Sequence, residues 1–199
     1  MKLVEETRVK LTSTCLAAAA LAAIAAPACA SQADDTFKAF RQVCGDTRAD
    51  YSAASAAATQ NGWKATDVMA NGMPGVTVVE KAGRSRSVGD AALVVSMTHG
   101  TAAKDPTVNV YTCTLQTDRG GYPELKGQAQ TWLGFAPAAS TDTVTTFRFT
   151  EEGGKLRAAA DSEFNAAAAG SGMQILTVKR DGASAILDYV KIRKISSAQ

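Results

Sequence analysis

Histidine is almost absent from this 199-residue chain: His99 is the only one. A zinc site built on three histidines is therefore excluded, and any nucleophile has a single imidazole to serve as its base. Cysteine is nearly as scarce, with four in all, two of them (Cys15 and Cys29) in the first thirty residues. No C-x-x-C occurs, so a thioredoxin-like redox site has no support. Neither G-x-x-x-x-G-K-[ST] nor G-x-G-x-x-G is present, and no stretch alternates Asp and Asn densely enough for a calcium loop. A basic surplus is lacking too. Of 21 basic and 19 acidic residues, Lys2, Arg8, Lys10, Glu5 and Glu6 precede residue 31, which leaves a net charge near +1 with His99 neutral. That balance gives no footprint for nucleic acid and no attraction to anionic lipid.

The first thirty residues read as a leader. Three basic side chains precede an apolar run over 16–26, LAAAALAAIAA, which is followed by PACA with Ala28 and Ala30 flanking Cys29. A charged start, an apolar stretch and a small-x-small cleavage site mark a secretory signal peptide, cut after Ala30. The run is too short for a bilayer that needs about 20 apolar residues, and nothing later in the chain approaches transmembrane length. Acylation of Cys29 is disfavoured, because Ala26 stands where a lipobox usually has Leu. The expectation is a periplasmic or secreted protein whose residues 31–199 form one domain.

Cys44 and Cys113 are the cysteines that remain. An oxidising compartment joins such a pair. Phe37, Phe40 and Cys44 fall at i, i+3 and i+7 of a helical pattern, and Tyr111, Cys113 and Leu115 alternate along a strand. Both faces are apolar, so the two periodicities bring the sulfurs to one place. The expected role of Cys44 is half of a disulfide, not a nucleophile or a ligand.

Gly45 interrupts the first helix. Thr47 and Asp50 have capping-box spacing for its continuation, which ends at Asn61-Gly62. Period two then takes over at 76–83, 91–100 and 107–117. A long hairpin loop, GRSRSVGD, is expected between the first two of these strands. A middle helix containing Trp132 follows, then a hairpin turning at Gly153-Gly154, the small-residue linker NAAAAGSG, and a hairpin joined at Asp181-Gly182 in type I′ form. Helix-then-meander order occurs twice, over 31–117 and 118–199, and the fold class is α+β. The doubled layout is similar to that of secreted β-lactamase-inhibitor proteins, and the whole resembles small exported proteins of Gram-negative bacteria. The likeness is one of layout, with no shared motif.

No residue is assigned to catalysis, a cofactor or a metal. His99 reads as a surface or turn histidine. Arg84 and Arg86 in the polar loop are the one candidate for holding a carboxylate or phosphate. Glu151, Glu152, Asp161 and Glu163 read as solvated loop carboxylates, and Lys191 and Arg193 as charges guarding an exposed strand edge. The expected function is a non-enzymatic module that binds a protein or envelope component through an exposed sheet face or an aromatic groove involving Trp132, Tyr122 or Phe135. The alternative is a periplasmic small-ligand binder or hydrolase near His99 or Arg84/Arg86. A third reading is an assembly factor that accepts a partner strand.

Overall fold

The computed structural model describes residues 28–68, 73–119 and 121–195. The leader assigned to 1–30 lies outside them except for its last three residues, which open the first helix. No described helix is long and apolar enough to cross a membrane.

Helix α1 runs Ala28–Phe40. It passes into a π-helical turn, Arg41–Gly45, and α2 follows at Tyr51–Gln60. Asp50 is the N-cap of α2, its carboxylate accepting from Ala53 N at 2.9 Å. Thr47 turns its hydroxyl back onto the Val43 carbonyl instead of closing a capping box. Strands β1 (Lys64–Ala65), β2 (Val76–Val88), β3 (Ala91–Ala102) and β4 (Asp105–Thr117) come next, then α3 (Tyr122–Leu133). The remainder is β5 (Ala139–Ser140), β6 (Val144–Glu152), β7 (Lys155–Ala158), α4 (Phe164–Ala169), β8 (Met173–Asp181) and β9 (Ser184–Lys194). The class is α+β, as expected.

The nine strands form one antiparallel sheet in the order β1-β2-β3-β4-β9-β8-β6-β5, with β7 also on β6. The two expected halves each supply helix and then strands, and they meet where β4 pairs with β9. Period-two burial places Leu93, Val95, Met97, Cys113, Leu115, Leu187, Tyr189, Leu176, Val178, Phe147 and Phe149 on one face, where they pack with Phe37, Phe40, Ala54, Ala58, Leu125, Ala129 and Leu133 of the helices. Alanine on α2 lets that helix lie close to the strands. The short α4, in the segment read as a linker, packs on β8 and β9.

The Cys44–Cys113 disulfide is present, with the Cα atoms 5.4 Å apart. Both residues are fully buried, and the bond ties the π-turn to the centre of the sheet.

Three readings of the chain are corrected. GRSRSVGD is mostly strand: β2 continues to Val88, and the turn to β3 is Gly89-Asp90. Glycine and serine signal a loop, but here Arg84 and Arg86 line the helix-side face opposite Val95 and Leu93, and Arg86 donates to the Asn61 carbonyl at the end of α2. Lys191 guards no edge, because β9 is paired there on both sides, with Tyr111 of β4 and Gln174 of β8, while Arg193 lies past the end of β8 and is paired with β4 alone. The last hairpin turns at Gly182-Ala183, where only Gly182 has positive φ (59°), so it fits type II′ and not I′.

Candidate functional site

Trp132 is set between α1 and α3 by its neighbours. Phe37 and Phe40, one helical turn apart, meet it edge-on at 6.1 and 6.4 Å between centroids. Its far edge rests on the backbone of Gly45, where an added Cβ would come 3.1 Å from the ring. Arg41 lies over the indole with its guanidinium carbon 5.5 Å from the centroid, a cation–π contact, and pairs with Asp46 at 3.1 Å. The π-turn supplies this arrangement: its extra residue per turn places Arg41 and Gly45 against the same ring.

These residues line a groove of about 520 Å³ with Phe37 and Trp132 as its apolar floor and Asp34, Lys38, Gln42, Gln128 and Thr131 completing the walls. Two polar atoms of wall residues, Arg41 Nε and Gln128 Oε1, are buried without a hydrogen-bond partner. Such groups are uncommon in folded proteins. The charges are unequal in their engagement. Asp46 holds Arg41, and Asp34 accepts from the Gln128 amide. Among the described residues, Lys38 has no ion-pair partner.

Of the three aromatics expected in a groove, Trp132 is there. Phe135 lines a second depression beside it, with Thr131 shared between the two. Tyr122 is buried elsewhere, its hydroxyl on Thr141 O and Thr145 Oγ1 at 3.2 and 3.0 Å.

His99 is neither a turn residue nor unpartnered. It sits inside β3, its Nδ1 3.0 Å from Glu80 Oε2 and its Nε2 3.0 Å from Asn109 Oδ1. Its ring stacks on Tyr111, 4.7 Å apart and 9° from parallel. The register explains the grouping: Glu80, His99, Tyr111, Lys191 and Gln174 are successive cross-strand partners along one row. A carboxylate orients the imidazole as in a catalytic dyad. The second nitrogen faces Asn109, and among the described residues no thiol or hydroxyl is hydrogen-bonded to either one.

The carboxylates read as solvated loop groups are each held by arginine. Glu151 takes Arg48, Glu152 and Glu163 share Arg157, and Asp161 takes Arg148. The Arg48 guanidinium holds the Glu151 carboxyl below its usual range, against the opposing effect of burial. Arg48 and Ala49 both have φ of 56°, a conformation costing about 1–3 kcal/mol per non-glycine residue. Their turn is over-determined by the disulfide, by Ala49 N donating to Cys44 O at 2.9 Å and by the Arg48–Glu151 pair. Arg84 borders a smaller hollow of about 350 Å³ beside Thr66 and Val68 and donates to the neighbouring Gly83 carbonyl. Arg84 and Arg86 stand two residues apart on one face of β2, and each donates to a backbone carbonyl.

Among the described residues no group of three or more His, Cys, Asp and Glu side chains is placed to hold a metal. Comparison with protein-family models, with curated proteins and with solved structures finds no match to this chain.

Proposed function

We propose that this protein is an exported, non-enzymatic binding module that receives a segment of a partner protein in the Trp132 groove. The observation that carries the reading is an aromatic-floored groove whose walls are lined by charged and amide side chains. An apolar floor with a few convergent polar groups is the usual make-up of a binding site, and buried Trp and Arg dominate the energetics of protein interfaces. Lys38 and Asp34 both stand at the rim without an ion pair among the described residues, so the favoured segment sets an apolar side chain on Trp132 and an acidic one on the Lys38 side, away from Asp34. Export is supported by the leader-like first thirty residues and by a long-range disulfide.

The test is a photo-crosslinking residue placed at Thr131, on the exposed rim, in the producing cells. The expected result is a discrete protein adduct that Lys38→Glu weakens. A crosslinker at Thr59 on α2 serves as the control. If both positions give the same adducts, or if Thr131 gives none, the groove is not the recognition site.

A further inference from the structure

Arg41, Gln42 and Asp46 form one side of the Trp132 groove, and all three lie on the π-turn or directly after it. Gly45 closes the same turn and touches the far edge of the ring. Cys44, beside it, carries the disulfide. This side of the groove therefore hangs on backbone that the local sequence does not favour. π-turns are rare, and Arg48 and Ala49 follow with φ of 56°, where a Cβ is disfavoured. The hydrogen bonds of the segment are local. Thr47 donates to the Val43 carbonyl, Arg48 Nη1 to the Gly45 carbonyl and Ala49 N to the Cys44 carbonyl. They fix the shape of the turn and not its place over the sheet. Beside the packing of Val43 and Ala49, the ties to the strands among the described residues are the disulfide to β4 and the Arg48 pair with Glu151 of β6. The pair is partly exposed and is the weaker tie.

We propose that formation of the Cys44–Cys113 bond is the step that sets this side of the groove, so that the groove becomes competent only once the chain is oxidised. The inference rests on the reading of the groove as the recognition site and names how that site is controlled. In the reaction each thiol gives up a proton, and the pair gives two electrons to a disulfide-bearing oxidant, which becomes a dithiol as the new S–S bond forms. Without the bond the turn relaxes towards ordinary helical backbone, Arg41 and Gly45 leave the Trp132 ring, and the groove loses that side. Both half-cystines are fully buried, so a thiolate has no access to the finished bond and the change runs one way. A chain that has not reached an oxidising compartment does not present the finished site.

The experiment compares backbone amide and indole N–H signals of the oxidised protein, of Cys44→Ala with Cys113→Ala, and of that double variant carrying Ala49→Gly as well. Trp63→Phe in the oxidised protein assigns the two indoles. The double variant should keep the β8 and β9 amides in place while the Trp132 indole and the amides from Arg41 to Asp46 shift. Hydrogen exchange over that turn should quicken by about tenfold or more. Glycine at position 49 adopts the left-handed conformation without the Cβ penalty, so Ala49→Gly should bring part of the groove signals back. The Thr131 crosslink should weaken in the double variant and recover in step with those signals. Groove signals that stay unmoved in the double variant, loss of β8 and β9 together with the turn, or no recovery with Ala49→Gly would overturn the proposal. An oxidised protein that gives no Thr131 adduct refutes the binding reading instead, while the spectra still decide whether the bond shapes the groove.

Discussion

Replacing both half-cystines by alanine, Cys44→Ala with Cys113→Ala, tests the central structural claim. The bond spans a sequence separation of 69. In the chain-entropy treatment, closing a loop of about 70 residues removes unfolded-state freedom worth about 4 kcal/mol. Both residues are fully buried, so loss of the sulfur atoms from the packed row adds up to about 1 kcal/mol through small voids. A domain of this size is stable by only about 5–15 kcal/mol, so the change takes a large part of the total. With urea m-values of about 1–3 kcal/mol per molar, the unfolding midpoint should fall by about 2 M.

The pattern across variants is more diagnostic than the size. Either single substitution abolishes the cross-link, so each should cost nearly as much as the double, and the two effects should be strongly non-additive. Wild-type protein unfolded in reductant should resemble the double variant. Hydrogen exchange adds a location: the Ala49 amide, bonded to the Cys44 carbonyl, should lose protection before the amides of β8 and β9. Additive single effects, or a midpoint indifferent to reductant, would refute the reasoning.

Gly45→Ala sets a Cβ 3.1 Å from Trp132 and should cost about 1–3 kcal/mol through overpacking, read as a lowered midpoint with altered Trp fluorescence. Because Arg48 lowers the Glu151 pKa, the pair's contribution is present above the unfolded pKa and is lost as pH falls through the folded one. Glu151→Gln should therefore flatten the acid limb of the stability profile, by a small amount because the side chains are about a quarter exposed. Lys191 has the opposite form: its folded pKa lies below 10.5, the unfolded chain binds the extra proton between the two values, and stability should rise with pH across that window. Lys191→Met should remove the rise, as seen in chemical denaturation at stepped alkaline pH. Tyr189→Phe deprives the Gln174 carbonyl of its donor, when the Gln174 amide nitrogen already lacks an acceptor, and should cost about 1–3 kcal/mol, measured by urea denaturation.

The disulfide was legible in the sequence because it needed only two local periodicities. Helical spacing from Phe37 and Phe40 put Cys44 on the buried stripe, and alternation with Tyr111 and Leu115 put Cys113 on the buried side of its strand. Trp132 was legible as the aromatic end of a helix. What local pattern does not contain is strand order. Hairpin partners such as β3 and β4 follow from the chain, but β4 beside β9 and β6 beside β8 join distant segments. Without that order, Lys191 and Arg193 read as an edge, and Tyr111 had no reason to stand beside Lys191. The π-turn and the left-handed Arg48-Ala49 pair carry no signal either, since neither position is the Gly or Asn that usually marks such a conformation. Tertiary constraints impose it. Arg84 and Arg86 were misread for a related reason: composition alone reads Gly-Arg-Ser-Arg-Ser as a turn, while pairing with β3 holds it extended.

The boundary between core and polar shelf falls at one level on β2, β3, β4 and β9. Ala82, Met97, Cys113, Tyr189 and Leu176 form one cross-strand row, and Glu80, His99, Tyr111, Lys191 and Gln174 form the next. Four strands at least change character over the same two-residue step, which local sequence on any one of them does not account for. The helix layer does, because its cover ends where Asp50 caps α2, and Asp50 acts on both Tyr111 and Lys191. What fixes the position of that end is the strained turn from Gly45 to Asp50, and the turn is held by a disulfide whose sheet-side sulfur belongs to the last covered row. The bond is thus more than a general staple against unfolding. It anchors the helix layer at that row, beyond which Glu80, His99, Tyr111 and Lys191 are half-buried or exposed.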